Sequence, residues 1–152
     1  MKILVTGAAG FIGFHLTHAL VNAGHEVVGL DNFSPYYDVR LKKHRAHILD
    51  QLGAPVTMAD LRKKDSFNWL IEAHKPDAVV HLAASVGVRH SYNNTLEYIE
   101  NNIVGTQNLI EVCESLGVNR IVYASTSCVM AGNPLPWKED EPTGHQLNAY
   151  GY

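Results

Sequence analysis

The sequence has few cysteines, little excess of charge and no long apolar run. Cys113 and Cys128 are the only cysteines among 152 residues, which excludes a disulfide framework and predicts a reducing compartment. Lysine and arginine number 12 against 15 aspartates and glutamates, so we expect no global attraction to nucleic acid or to an anionic membrane. The apolar stretch after Lys2 is too short for a signal peptide, and none spans a bilayer. A soluble, cytoplasmic protein is therefore expected.

Two groups of side chains could suggest a charged or metal site. Two histidine pairs are spaced three residues apart: His15 with His18, and His44 with His47. Neither pair has a third ligand nearby in the sequence, so no metal site is predicted. Four basic residues lie close together: Arg40, Lys42, Lys43 and Arg45. We interpret them as the solvated face of a helix, with an acid-binding site as the alternative.

The length and the apolar pattern predict one α/β domain over residues 1–152. Five short apolar runs rich in β-branched residues predict strands at 3–6, 27–30, 55–58, 78–82 and 120–124. None alternates apolar with polar residues, so both faces of each strand should be buried. Because helical patterns separate the strands, we predict right-handed βαβ units and a doubly wound parallel sheet. An irregular loop is expected after Thr126, where glycines and prolines accumulate.

Two of the helical segments carry specific expectations. In the first, five apolar residues have the spacing of one buried face, and Gly24 should follow the helix end. These five are Ile12, Leu16, Ala19, Leu20 and Ala23. A later helix, at roughly 96–116, carries two apolar rows. The first row is Leu96, Ile99, Ile103, Ile110 and Cys113, and the second is Tyr98, Leu109, Val112 and Leu116. A second row suggests a second packing partner.

Gly7, Gly10 and Gly13 follow the first predicted strand with the spacing G-x-x-G-x-x-G. Glycines at this place let the backbone turn sharply and approach a pyrophosphate without a Cβ in the way. The helix that follows would point its free N–H groups and the positive end of its dipole at the phosphates. We therefore predict a dinucleotide site at this turn. The alternative is a tight strand-to-helix turn that binds nothing.

Asp31 ends the second predicted strand, 18 positions after Gly13. A carboxylate there accepts hydrogen bonds from the hydroxyls of the adenine ribose and repels a 2′-phosphate. Asn32 follows it directly, and the first arginine after Asp31 is Arg40. This pattern favours NAD over NADP. The alternative is that Asp31 only caps a loop.

With these motifs the chain resembles the extended short-chain dehydrogenase/reductase family, which has a Rossmann-type fold, and within it the NAD-dependent nucleotide-sugar epimerases and dehydratases. The stretches that carry the resemblance are 6–13 (TGAAGFIG), 31–32 (DN), 60–61 (DL), 81–84 (HLAA), 102–106 (NIVGT) and 123–127 (YASTS). Residues 34–42 and 87–89 are most similar to UDP-glucuronate 4-epimerases. The resemblance covers the whole chain but only the first half of a typical member, so a chain truncated before the sugar-nucleotide domain is expected.

The resemblance implies roles for individual residues. Asp60 and Leu61 would flank the adenine, the small residues after the fourth strand would line the pyrophosphate and ribose path, and Asn102 would support the active-site loop. The full set of implied cofactor residues is Gly7, Gly10, Phe11, Ile12, Gly13, Asp31, Asn32, Asp60, Leu61, Leu82, Ala83, Ala84, Asn102 and Ser125.

Thr126 and Tyr150 match the family's catalytic residues. Thr126 would hydrogen-bond the sugar hydroxyl that is oxidised, and Tyr150 matches the tyrosine of the Y-x-x-x-K motif. The alternatives are a loop hydroxyl that caps a strand end and a surface tyrosine, respectively. The motif lysine would stand four positions after Tyr150, beyond the last residue, Tyr152. A free tyrosine has a pKa near 10, so loss of the lysine would leave under ~1% phenolate at pH 7.

The resemblance and the chain length together predict an NAD-binding module without independent catalysis. One alternative is an active nucleotide-sugar 4-epimerase that is completed by oligomerisation or by a partner chain. Another is an interaction module that pairs with full-length relatives. We also expect a homo-oligomer, because the row of Tyr98, Leu109, Val112 and Leu116 would face water and strand 120–124 would be an unpaired edge.

Overall fold

The computed structural model describes residues 1–151 and contains a five-stranded, all-parallel sheet. Its strands are β1 (Lys2–Thr6), β2 (Glu26–Asp31), β3 (Val56–Met58), β4 (Ala78–His81) and β5 (Ile121–Tyr123). All five predicted strands are confirmed, with ends that differ by one residue or none from the prediction. The strand order is β3-β2-β1-β4-β5.

Helices separate successive strands. They are α1 (Phe11–Asn22), α2 (Val39–Gln51), α3 (Asn68–His74), α4 (Val88–Asn93), α5 (Thr95–Tyr98) and α6 (Gly105–Ser115). A π-helical segment, Ile99–Val104, joins α5 to α6, so that residues 95–115 form one continuous helix. Short 3-10 helices occur at Lys64–Ser66 and Ser127–Met130. No helix among residues 1–151 is both long and apolar enough to cross a membrane.

Both faces of the central strand β1 are buried, which confirms the predicted doubly wound arrangement. Along β1, Ile3 and Val5 belong to one apolar cluster, whereas Leu4 between them belongs to the other. Successive side chains of a strand point to opposite faces, so this division shows that a separate core lies on each side. Phe67 and Leu109 are buried in the cluster that contains Leu4.

The strand order creates a crevice where the chain changes direction. From β1 the chain adds β2 and β3 on one side, then returns to place β4 on the other side of β1. The loops that follow β1 and β4 therefore diverge at the carboxyl edge of the sheet. Such a topological switch point is where open α/β sheets bind their ligands.

Helix α1 forms as predicted, and Gly24 after it has φ +82°. The predicted buried face is wrong in part: Ile12 is 63% exposed, Ala19 and Ala23 are exposed, and Gly13 and Thr17 are buried instead. Gly13 lies directly against the turn after β1, near the carbonyl oxygen of Gly7, and the adjacent Ile12 points away from the core.

The long helix buries the apolar row that we expected to face water. Tyr98 is 1% exposed, and Leu109 and Val112 are buried with it, whereas Leu116 is exposed. The row that was expected to be covered is instead mostly exposed: Leu96, Ile99, Ile103 and Ile110. Both rows are apolar, so periodicity alone cannot determine which one faces the sheet.

The outer edge of β5 is open, as the sequence analysis expected, but the burial expected on both faces of this strand is wrong. Within residues 1–151, β5 pairs only with β4, so its outer edge is open, and Val122 and Tyr123 are exposed. After Thr126 the chain is irregular apart from one 3-10 turn, as the glycines and prolines indicated.

Candidate functional site: a cavity at the carboxyl edge of the sheet

A cavity of about 620 Å³ lies at the switch point between β1 and β4. All the residues that the sequence analysis assigned to the site line it: Gly7, Gly10, Phe11, Ile12, Gly13, Asp31, Asn32, Asp60, Leu61, Leu82, Ala83, Ala84, Asn102, Ser125, Thr126 and Tyr150. They come from separate segments of the chain, which the fold brings to one edge of the sheet. The structure therefore places the predicted cofactor residues and the two predicted catalytic residues around one space.

The turn after β1 is possible only with glycines at two positions. Gly7 has φ +69°, and a Cβ on it would lie 2.9 Å from the backbone of Ala83. A Cβ on Gly13 would lie 2.1 Å from the carbonyl oxygen of Gly7. Gly10 caps the N-terminus of α1 through its backbone alone, with no side-chain cap. No side chain of the cap residue therefore covers the free N–H groups in the first turn of α1. Such free N–H groups at a helix N-terminus bind anions.

Asp31 is 4% exposed and is held by donors from two sides. Its Oδ2 accepts a hydrogen bond from the Ala9 N–H at 3.1 Å, and its Oδ1 accepts one from the Phe33 N–H at 2.8 Å. The Lys42 ammonium lies 3.7 Å from Oδ1 and donates to the Ser34 hydroxyl at 3.3 Å. Each carboxylate oxygen can accept two hydrogen bonds, so acceptor capacity remains for a ligand.

The basic residues of α2 do not all form a solvated face, which corrects that prediction. Arg40 and Lys43 are exposed, but Lys42 is only 7% exposed and its ammonium lies 5.1 Å from the centre of the Tyr37 ring. Arg45 is half-buried and donates to the Tyr37 hydroxyl at 3.0 Å. Helix α2 begins close to the loop after β2, and for that reason its first turns lie over Asp31.

Asp60 follows β3 and is paired with a neighbouring arginine. The Arg62 Nε donates to Oδ1 at 3.0 Å and its Nη2 lies 2.5 Å from Oδ2. This hydrogen bonding lowers the pKa of the Asp60 carboxyl, so the group is a permanently ionised acceptor at neutral pH. Leu61, beside it, is buried under the long helix: a Cβ on Gly105 would lie 3.2 Å from the Leu61 Cβ.

A buried hydrogen-bond chain fixes the loop after β4. The Thr6 hydroxyl oxygen accepts from the N–H groups of Leu82 and Ala83, both at 3.1 Å. Its proton must therefore go to Nδ1 of His81, 2.7 Å away, which leaves Nε2–H of His81 to donate to the Thr106 hydroxyl at 2.8 Å. Burial lowers the pKa of His81 to about 4, so the ring is neutral at pH 7.

Asn102 holds the next part of the same loop. Its Oδ1 accepts from the Ser85 N–H at 2.8 Å, and its Nδ2 donates to the Ser85 carbonyl at 2.9 Å. The Ser85 hydroxyl donates to Glu97 at 3.0 Å and accepts from Asn101 at 2.7 Å. The π-helical segment that carries Asn101 and Asn102 thus holds the loop after β4 in place through these hydrogen bonds.

Thr126 stands at the start of the irregular segment and Tyr150 stands near its end, yet both line the cavity. The Thr126 hydroxyl oxygen accepts from the Cys128 N–H at 3.2 Å, so its proton remains available to another acceptor. The Tyr150 ring packs edge-on against Tyr98, with ring centres 6.1 Å apart. The Tyr98 hydroxyl lies 2.5 Å from the Val86 carbonyl oxygen, and burial raises its pKa to about 12. Tyr98 therefore positions Tyr150 without ionising.

Sequence reasoning missed several residues that also line the cavity: Ser34, Tyr36, Tyr37, Lys42, His81, Glu97, Asn101 and Thr106. The place of His81 near the carboxyl end of a predicted strand was a usable signal. The others come from helices and loops whose approach to the cavity depends on tertiary packing.

The sequence matches a profile of the NAD dependent epimerase/dehydratase family over residues 3–152. A probable UDP-glucuronate 4-epimerase of Rhizobium meliloti (strain 1021) is 37% identical over 152 residues, 99% of this chain and 45% of its own length. UDP-glucuronate 4-epimerase 2 of Arabidopsis thaliana is 40% identical over 152 residues, which are 99% of this chain and 35% of the relative.

Solved structures of epimerases are similar to this chain as well. The UDP-glucuronic acid 4-epimerase of Bacillus cereus, in complex with UDP-glucuronic acid and NAD, superposes with a TM-score of 0.88 at 37% identity, covering 99% of this chain and 48% of that one. The UDP-glucose 4-epimerase of Thermus thermophilus, in complex with NAD, gives 0.87 at 31% identity and covers 99% and 46%. This chain thus spans less than half the length of these relatives, and it belongs to the NAD dependent epimerase/dehydratase family.

Proposed function

We propose that residues 1–152 form a single domain that is the NAD-binding part of a nucleotide-sugar epimerase. The observation that carries this proposal is the meeting of all the predicted cofactor residues at one cavity, beside a turn that only glycine fits. The residues suit the cofactor because the turn offers bare backbone and helix N–H groups for the pyrophosphate, while Asp31 offers acceptors for ribose hydroxyls. NAD supplies a hydride acceptor that can later return the hydride.

Different side chains around the cavity would hold different parts of the cofactor. Asp60, kept ionised by Arg62, would accept from the amino group of the adenine. The loop that Thr6, His81 and Asn102 hold in place would form the wall along the ribose and pyrophosphate. These groups bind and orient, and none of them needs to change its protonation state at neutral pH.

We propose that Thr126 and Tyr150 face the sugar that is oxidised, with Thr126 donating to its hydroxyl and Tyr150 acting as the base. Residues 1–152 alone should bind NAD with little turnover, because the family's motif lysine and the second half of the relatives lie outside them. An assay of this polypeptide with UDP-glucuronate, UDP-glucose and NAD tests this. Turnover near ~1 per second, ordinary for enzymes, would contradict it.

A second proposal is that the chain acts as a UDP-glucuronate 4-epimerase when a second half completes it. Relatives named for this activity support the substrate class, at 37–41% identity. Mixing the polypeptide with the C-terminal half of such a relative should then produce epimerase activity with UDP-glucuronate in preference to UDP-glucose. A mixture that stays inactive, although both halves are folded and associated, would remove this proposal.

We also propose that the protein associates through the exposed apolar row of the long helix and the open edge of β5, with a second copy of itself or with a full-length relative. Ile103 is 51% exposed in the middle of this row. Exposed apolar area and unpaired edges favour association. Sedimentation at ~10 μM should show a dimer or larger species, and Ile103→Glu should shift it to monomer. A monomeric unmodified protein would contradict this proposal.

The cysteines support a location in the cytoplasm. Cys113 and Cys128 are both free thiols, the state that a reducing compartment maintains. We therefore propose that the protein functions there, which detection of the tagged protein in fractionated cells would test.

A further inference from the structure

The side chain of Tyr36 joins the loop after β2 to the loop after β4, at the mouth of the cavity. Tyr36 lines the cavity and is nevertheless 52% exposed, so its ring stands between the cavity and the solvent. The ring meets that of His90 edge-on, with ring centres 5.2 Å apart. Its hydroxyl oxygen lies so near Gly87 that a Cβ on this glycine would be 2.9 Å away. We call Tyr36, Gly87 and His90 the Tyr36 latch.

The two sides of the Tyr36 latch are held with different firmness. The Tyr98 hydroxyl lies 2.5 Å from the Val86 carbonyl oxygen and 2.8 Å from that of Gly87, which fixes the loop after β4. Gly87 has φ +98°, a conformation that favours glycine, and it offers bare backbone to the Tyr36 hydroxyl. Tyr36 itself belongs to a turn between β2 and α2, so its ring can leave Gly87 without disturbing a helix or a strand. The latch is therefore a movable ring on a fixed backbone.

We propose that the Tyr36 latch controls the rates at which the dinucleotide enters and leaves the cavity. The ring closes the mouth of the same cavity that the glycine turn and Asp31 line, so it must move aside for binding and for release. This proposal rests on the proposed binding of NAD in that cavity. Slow release suits the proposed function, because the hydride that NAD accepts has to be returned before the cofactor leaves.

A latch differs from an ordinary contact residue in its effect on the two rate constants. Only the open fraction of the free protein accepts a ligand, and only the open fraction of the complex releases it. If the ring closes equally well in both states, its removal raises both rate constants and leaves Kd nearly unchanged. Loss of a residue that merely contacts the cofactor raises the dissociation rate constant and leaves association almost as it was.

Stopped-flow mixing of nucleotide-free protein with NADH, followed by nicotinamide fluorescence, measures both rate constants. We expect Tyr36→Ala to raise each of them about tenfold, since tenfold corresponds to ~1.4 kcal/mol and an edge-on ring pair contributes energy of this order. The Kd for NADH should change less than about threefold, because the two increases cancel in it. Tyr36→Phe, which keeps the ring against His90, should retain the slow rates.

His90 provides a sharper test, because its ring packs on Tyr36 although His90 does not itself line the cavity. His90→Ala should raise both rate constants about threefold, by loosening the Tyr36 ring and not by removing a contact with NADH. In a Tyr36→Ala background the same change should have no further effect, since the partner ring is already absent. The control is Tyr92→Ala, which removes an exposed tyrosine of the same helix and should change neither rate constant.

The proposal is overturned if a folded Tyr36→Ala raises the dissociation rate constant alone, or if it changes neither rate constant. It is also overturned if His90→Ala behaves like Tyr92→Ala. Tyr36→Leu replaces Tyr36→Ala if the latter does not fold. An unmodified protein that binds no NADH in a calorimetric titration would instead refute the proposed function, and this titration precedes the rate measurements.

Discussion

Acidification should destabilise the protein through His81. The ring is neutral in the folded state because burial lowers its pKa from 6.5 to about 4. In the unfolded chain the same ring takes up a proton near pH 6.5. Since the unfolded state binds more protons between these two values, the free energy of unfolding is unaffected above pH 6.5 and falls as the pH decreases toward 4.

The size of the effect follows from the shift. One pKa unit corresponds to ~1.4 kcal/mol, so this ring should remove about 2 kcal/mol between pH 7.5 and pH 5, and about 3 kcal/mol by pH 4. The hydrogen-bond chain gives a reason for the resistance to protonation: Nδ1 already accepts the Thr6 proton, and the Thr6 oxygen has no free acceptor position.

Urea unfolding at pH 7.5, 6, 5 and 4 measures this contribution. His81→Asn, which keeps one acceptor and one donor, should be less stable at pH 7.5 but should lose about 2 kcal/mol less on going to pH 5. Both proteins contain the other histidines, so the contribution of those residues to the pH dependence cancels in the comparison. One of them is His74, whose pKa is also lowered by burial. NMR titration gives an independent reading. A His81 ring that titrates near pH 6.5 in the folded protein would refute the reasoning.

Three further substitutions test the packing around the cavity. Gly13→Ala should destabilise the protein by about 3 kcal/mol or more in thermal unfolding, since its Cβ would lie 2.1 Å from a carbonyl oxygen; unchanged stability would contradict the turn geometry. Tyr98→Phe should cost about 1–3 kcal/mol by leaving two loop carbonyls without their donor. The exposed Tyr92→Phe is its control and should cost nothing measurable. Gly10→Ala should leave the fold intact and weaken NAD binding. Gly24→Asn, at a position outside the cavity, should leave NAD binding unchanged.

The sequence was sufficient to predict the sheet and the edge of the sheet at which the cavity lies. Apolar runs such as 3–6 bury both faces, so their position is visible without knowledge of their neighbours. The glycines and Asp31 stand directly at strand ends, and parallel strands bring those ends together. Local chemistry and strand order therefore determined where the cavity would be.

Features that depend on how helices pack were not predictable in the same way. The two apolar rows of the long helix are equally apolar, and only the structure shows that Tyr98 faces inward while Ile103 faces outward. Lys42 resembles its exposed neighbour Lys43 in the sequence, yet the position of α2 beside the loop after β2 buries one and not the other. The His81 chain needs Thr6 and Thr106, which the sequence places far apart.

The most direct test of NAD binding at this cavity is a titration of ¹⁵N-labelled protein with NAD, followed by amide chemical shifts. We predict that the largest changes fall on the turn from Gly7 to Gly13, on Asp31 and Asn32, and on the loop from Leu82 to Ala84. Spectra that do not change, or changes confined to β5 and the exposed row of the long helix, would contradict the account.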